Sequence, residues 1–437
     1  MTKTSRRSIF RPVKTIKYLG TAIATTALVI SYTGSAVKAT LEDSPKTVVD
    51  EVWQIVHNEF VDRGFNNVNW LQKRQELLES DYANQEQAYQ AIRESLKELG
   101  DPYTRFLDPK KFEELTSQTS GELSGIGIRL TIEETTSQIT VVEPLEDSPA
   151  DEAGIKPGDK ILSINGKPTS LMSLDQASEE IRGEVGTQVS LKIARSGNST
   201  FDVTLTRSQI ELPSVNYSIT KEGQTKVGYI KLNEFSSHSA EQMQEAIEEL
   251  AGQQISGFVL DLRGNPGGLL FSSVEIARMW LEEGAIVSTK NRKGSDQKFF
   301  ANGKALTDLP LVILVDHYSA SASEILAGAL KENNRATIVG TRTYGKGTVQ
   351  SVHSLSDGSG LAVTIAQYFP PSGMDINHQG IAPDIEVDLT TEQKLAFNVN
   401  PALFATAADP QYAKAIQVLK NISLTQVEQP LNSVRIR

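Results

Sequence analysis

Apolar residues first recur at helical spacing at Val49, Val52, Trp53, Val56 and Phe60, which fall on one face of a helix. A second helix is predicted from Asn84, with Gln87 three residues on in capping-box position. It carries Ala88, Ile92, Leu96 and Leu99 on its apolar face. Residues 41–120 are therefore read as an N-terminal helical domain. His57, on the rim of the first stripe, reads as a satisfied structural histidine.

Near residue 121 the period changes. The stretch Ser124-Gly-Ile-Gly-Ile128 leads into a strand, followed by a strand at 139–142 and the run 147–154. Then come the turn Lys156-Pro-Gly-Asp159, a strand at 161–164, the turn Asn165-Gly166 and a helix at 173–182. Alternating strands at 189–193 and 201–205 close the unit. In this order, residues 121–207 resemble a PDZ domain. The resemblance implies a loop, here Gly125, Ile126, Gly127 and Ile128, that offers backbone N–H groups to a terminal carboxylate while the peptide adds as a strand. Glycine suits close approach of backbone to ligand. An ordinary turn is the plainer reading of the same four residues.

From residue 210 strands alternate with helices: strands at 227–232, 257–262, 311–316 and 336–339, helices at 239–250 and from Gly268 to about Trp280. Segments 349–355 and 361–369 form a hairpin through Asp357-Gly358. Such alternation predicts an α/β layer structure over 210–390 with active loops at strand ends. Residues 391–437 are a tail with one predicted helix, 410–419, of no legible role.

Composition narrows the class. The chain has 437 residues, 43 basic and 54 acidic, and no cysteine. Seven of the basic residues and none of the acidic ones lie in the first 39. Without those seven, 36 basic face 54 acidic residues, net −18. So acidic a chain argues against nucleic acid or an anionic membrane surface as partner. Residues 1–39 have the basic, apolar and small-residue regions of an export signal ending at Val37-Lys38-Ala39. Arg6-Arg7 also raises the twin-arginine route, and the apolar run at 19–30 an uncleaved anchor.

The chemistry is concentrated in 319–350. There is no GxSxG, no HExxH and no thiolate or zinc site, and the five histidines show no ligand spacing. No cofactor or metal is expected. Gly340 to Lys346 fits the start of a phosphate loop, but Gly347 replaces the hydroxyl residue and a strand follows where a helix is required. Ser321-Ala-Ser-Glu324 reads as a plain capping box, yet it also sets a hydroxyl at a helix start, where the dipole favours negative charge. Lys346, between two glycines, can act as a base only if burial brings its pKa down from about 10.4. Ser–Lys pairs are an established nucleophile and base. A histidine-dependent hydrolase using His317 or His353 is a competing arrangement.

The runs SASASEILAGAL, YGKGTVQ and DLRGNPGG, beside the PDZ-like unit, resemble the carboxyl-terminal processing peptidases over roughly 45–390. The resemblance implies an α/β (α+β) multidomain protein: a crotonase/ClpP-like peptidase core, a PDZ domain and an N-terminal helical domain. It implies a serine endopeptidase that cuts near the C terminus of protein substrates, with Ser321 as nucleophile and Lys346 as general base. Gln350 matches the residue that orients the lysine and Glu324 an acidic supporting residue. Gly267 and Ala322 match the oxyanion-hole donors, and Arg263 fits either a loop brace or a substrate contact. The segment 368–375 departs from the family pattern, which leaves its substrate contacts open. Resemblance to the plant and cyanobacterial branch implies the thylakoid lumen or periplasm, with a photosystem II reaction-centre precursor, a membrane protein, as a candidate substrate. An inactive PDZ-type adaptor is the alternative, and the oligomeric state is not legible.

Overall fold

The computed structural model describes residues 44–428 apart from 196–198, 224 and 295. The expected export signal at 1–39 lies outside the described residues. The first helix, Pro45–Glu59, buries Val48, Val49, Val52, Trp53 and Val56, as its stripe requires. The helix Gln85–Glu98 starts where expected, with the Asn84 side chain accepting from Gln87 N–H at 3.0 Å. His57 differs from expectation. Its ring is stacked between Trp53 and Phe65 at 4.7 and 5.8 Å, and its buried Nδ1 has no partner among the described residues.

Two further helices, Trp70–Glu79 and Pro109–Ser120, complete the N-terminal region. Its core does not close on itself. Val52, Phe60, Ile92 and Phe106 share one cluster with Leu355, Leu361 and Val363 of the late hairpin. The strand Arg105–Leu107 pairs antiparallel with Gly360–Phe369, in the register Arg105↔Ala362. The N-terminal chain thus contributes a strand to the sheet that carries Thr348–Ser354, Gly360–Phe369, Ala285–Asn291 and Asp296–Phe300.

The PDZ-like unit has its own core, with Ile139, Ile161, Ala177, Val189 and Leu191 at its centre. Its helix Leu174–Ile181 is capped reciprocally by Ser173 and Gln176. The unit enters and leaves through two strands that pair with each other, Glu122–Gly125 and Ser208–Glu211.

The main sheet runs in the order Val215–Glu222, Thr225–Leu232, Phe258–Asp261, Leu311–Val315, Thr337–Gly340, Ile385–Glu386, parallel from the second strand on. Every residue of Phe258–Asp261 and Leu311–Val315 is buried, as befits strands covered on both faces. One face packs Phe258, Leu260 and Ile313 against Trp280, Ile325 and Leu326. The alternate residues Val259, Val312 and Leu314 meet Tyr412, Ala415, Ile416 and Leu419. Those four lie on the helix Pro410–Glu428, so the tail with no legible role is the second cover of the sheet.

A buried ion network ties that cover to the turn after Phe258–Asp261. Arg263 bonds Asp261 at 2.6 Å, Asp409 at 2.8 and 3.1 Å and Gln411 at 2.9 Å, with its guanidinium 5.0 Å from the Phe404 ring. Burial alone would raise the Asp261 carboxyl, but Arg263 and Lys231 outweigh it and hold the group well below the usual carboxylate range. Arg263 is a brace. Asp409 also caps the final helix, accepting from Gln411 and Tyr412 N–H. Asp409→Ala should lower the unfolding free energy by about 3 kcal/mol in urea titration, since it leaves a buried guanidinium half-paired.

Candidate active site

The buried strand Leu311–Val315 delivers a tight turn into the helix Ala322–Glu332. At its corner Ser321 has φ +54° and ψ −114°, a conformation normally left to glycine and costing on the order of 1–3 kcal/mol. Surrounding bonds hold it there. Ala320 N–H and Ser323 Oγ–H both donate to Asn265 C=O at 3.1 and 3.0 Å, and Tyr368 O–H donates to Ser321 C=O at 3.1 Å. The capping relation expected from sequence is present in Ser321 N–H, which donates to Glu324 Oε2 at 2.9 Å.

Glu324 does more than cap. It is fully buried, and its Oε1 accepts from Thr343 Oγ1 at 2.6 Å and Gly345 N–H at 2.7 Å. Oε2 also takes Lys346 N–H at 2.9 Å. One carboxylate therefore joins the serine turn to the lysine loop. Burial raises its pKa, and the four donors oppose that rise.

The loop itself packs as its glycines suggested. A Cβ at Gly345, φ +90°, would stand 2.9 Å from Gln379 N, and one at Gly347 would stand 3.0 Å from Asn377 Cβ. The strand Thr348–Ser354 follows directly, which agrees with rejecting a phosphate loop.

Ser321, Ala322, Gly267, Lys346 and Gln350 line one cavity of about 330 Å³. Burial first, and then the like charge of Arg105, bring the Lys346 amine down to about 8, while Asp101 and Glu324 pull the other way. No hydrogen bond joins Lys346 Nζ to Ser321 Oγ among the described residues; Nζ sits 4.8 Å from the centre of the Tyr103 ring.

Two expectations need correction. Gln350 Nε2 donates to Thr348 Oγ1 at 2.9 Å and Thr364 Oγ1 at 3.3 Å, and no hydrogen bond joins Gln350 to Lys346 among the described residues. Gly267 N–H is not free, since Asn265 Oδ1 accepts it at 2.9 Å. The glycine is needed for approach: at φ +104° a Cβ would meet Ala320 O at 2.7 Å and Ala322 N at 2.9 Å. Ala322 N–H and the neighbouring Gly268 N–H have no acceptor among the described residues.

His353 pairs with Glu59 at 2.9 Å, and the His317 ring packs against Tyr318 and Tyr344. Neither lines the cavity. Arg105, Leu115, Gln118 and Thr119 do, and no sequence signal marked them.

A second cavity, of about 210 Å³, lies in the PDZ-like unit. Gly125, Ile126, Gly127 and Ile128 line it together with Ile181, Arg182 and residues of both connecting strands. Gly127, φ +73°, could not carry a Cβ, which would fall 2.2 Å from Ser148 Cβ.

Comparison with known proteins agrees with this geometry. The peptidase family S41 model matches residues 226–387 and a PDZ domain model matches 140–195. A carboxyl-terminal-processing protease of Synechocystis sp. is 43% identical over 391 residues, 89% of this chain and 90% of the relative. The chloroplastic carboxyl-terminal-processing peptidase 3 of Arabidopsis thaliana is 39% identical over 350 residues, 77% of this chain and 67% of its own. A solved photosystem II D1 C-terminal processing protease is 36% identical, with TM-score 0.51, covering 79% of this chain and 93% of that one. The chain belongs to peptidase family S41, among the carboxyl-terminal-processing serine proteases, and combines the family's α/β peptidase fold with a PDZ domain. Proteins of this kind act on protein substrates.

Glu324→Gln keeps the side-chain shape but turns an amide NH₂ toward backbone donors. It should cost about 1–3 kcal/mol of stability and lower kcat/KM by roughly tenfold or more, read by urea unfolding and peptide cleavage.

Proposed function

We propose that Ser321 is the nucleophile and Lys346 the general base of a tail-cleaving endopeptidase, with Glu324 positioning both. The observation that carries this reading is the single buried carboxylate that holds Ser321, Gly345 and Lys346 together at one cavity. The neutral amine takes the Ser321 Oγ proton as Oγ attacks the scissile carbonyl. The resulting ammonium returns that proton to the departing amine, and water then hydrolyses the acyl ester by the same route. Ala322 N–H and the 267–268 turn stabilise the oxyanion: Gly268 N–H is free as it stands, and Gly267 N–H becomes free once Asn265 Oδ1 turns away.

The unformed Ser321–Lys346 bond and the occupied Gly267 N–H describe a resting site. The PDZ-like unit receives the substrate's C-terminal tail at Gly125–Ile128 and relays binding through its connecting strands. The helix Pro109–Ser120, which leads into the first of those strands, lines the catalytic cavity with Leu115, Gln118 and Thr119, and Thr119 C=O accepts from Ser237 N–H at 3.0 Å. The photosystem II D1 precursor, named for one relative, is the specific substrate proposed, in a thylakoid lumen or periplasm. No helix among the described residues is long and apolar enough to cross a membrane.

Ser321→Ala and Lys346→Ala should each lower cleavage of a protein with an unstructured apolar tail by about 10⁴-fold. Retained cleavage in either would sink the pair. Because only the neutral amine is a base, kcat/KM should rise with pH and level off above about 8, the value of the free enzyme's lysine. Gly127→Ala should weaken tail-peptide binding by about tenfold, measured by fluorescence anisotropy, while short untailed peptides are cleaved at the unchanged slow rate.

A further inference from the structure

The catalytic cavity is not built by the peptidase core alone. The family match begins at residue 226, yet Arg105 lines the cavity beside Lys346 and Tyr368. Its position is set by main-chain pairing. Arg105 lies opposite Ala362, another cavity residue, on the strand Arg105–Leu107. Phe106 and Leu107 are buried and anchor that strand. Just before it, Asp101 accepts from Tyr103 N–H, Thr104 N–H and Thr104 Oγ1, and Thr364 N–H donates to Thr104 Oγ1 at 3.1 Å. The segment is clamped to the sheet at both ends. Among the described residues the Arg105 guanidinium has neither hydrogen bond nor ion pair, so nothing there competes for its field.

Resting on the Ser321–Lys346 reading, we propose that Arg105 is a positioning residue for the catalytic base. It is the cation that the N-terminal region places beside the Lys346 amine to favour the uncharged form. A lysine next to a second cation loses its proton more readily, and the loss is larger where water is partly excluded. The groups facing the amine are Asp101, Tyr103 and Arg105 from the N-terminal segment and Glu324 from the serine helix. Tyr368, from the strand Gly360–Phe369, lines the same cavity, and Tyr344, from the lysine's own loop, meets Tyr103. Asp101 and Glu324 favour the ammonium, as does the Tyr103 ring face. Of the six, Arg105 alone is a cation. Without it, burial alone would oppose two carboxylates and an aromatic perch.

The test is the pH profile of kcat/KM for the full chain with Arg105→Gln, Arg105→Lys and Lys346→Ala. Arg105→Gln should move the acid limb up by about 0.5 pH units, a roughly threefold loss at pH 7 that vanishes on the plateau. Arg105→Lys should keep the wild-type limb. Because the guanidinium is exposed, 0.5 M salt should narrow the gap between the wild-type and Arg105→Gln limbs. A wild-type limb in Arg105→Gln, or a loss of equal size at every pH, would overturn the proposal; the latter would mark a substrate contact. If Lys346→Ala remained active the dyad itself would fail, an outcome distinct from an unmoved limb beside an inactive Lys346→Ala.

Discussion

A single buried carboxylate organises the centre of this molecule. Glu324 accepts from the backbone of Ser321, Gly345 and Lys346 and from the Thr343 hydroxyl. Such a group is costly to bury, and four donors are what make it tolerable. The same bonds bring together two segments that follow neighbouring parallel strands, the corner before a helix and a glycine-flanked loop before a strand. They also offset the strained conformation of Ser321, which no other restraint spans so directly.

Around that carboxylate the rest of the chain acts as successive braces. The turn that carries Gly267 is held by Asn265, whose backbone C=O accepts from Ala320 N–H and Ser323 Oγ–H and whose side chain takes Gly267 N–H. Behind it, Arg263 bonds Asp409 and Gln411, so the last helix braces the turn that carries Gly267. From the other side the N-terminal region adds a strand and brings Tyr103 and Arg105 to the lysine. Amine and hydroxyl share a cavity with no hydrogen bond between them among the described residues, and the helix that leads into the PDZ domain lines its wall. A site so assembled can be rigid in its backbone while a few side chains decide whether it is competent.

Much of this was legible in the chain. Parallel strands covered on both faces read as unbroken apolar runs, and 257–262 and 311–316 were found that way. Capping chemistry located the helix after Asn84. Ser321 and Lys346 emerged because a helix-start serine and a glycine-flanked lysine are local patterns, and the strand after Gly347 ruled out the nucleotide alternative. The strands Val215–Glu222, Ala285–Asn291 and Asp296–Phe300 were missed; they carry mixed polar residues because each sits at or near a sheet edge. The final helix was seen but not its role, since Tyr412, Ala415, Ile416 and Leu419 could have faced any apolar surface.

Residue type and spacing determined the α/β alternation and the order of elements in the PDZ-like unit, because each depends on periodicity or on near neighbours in the chain. The roles of Ser321 and Lys346 came from their resemblance to the carboxyl-terminal processing peptidases. Only the tertiary structure decided which groups surround them. The engagement of Gly267 N–H by Asn265, the bonding of Gln350 to Thr348 and Thr364, the bracing of Arg263 by Asp409 and the arrival of Arg105 are decided by burial and hydrogen-bond satisfaction. Two of these join residues far apart in sequence, Arg263 with Asp409 and Arg105 with Lys346. Such pairings leave no local pattern, because the free energy that selects them arises only when the whole sheet has closed.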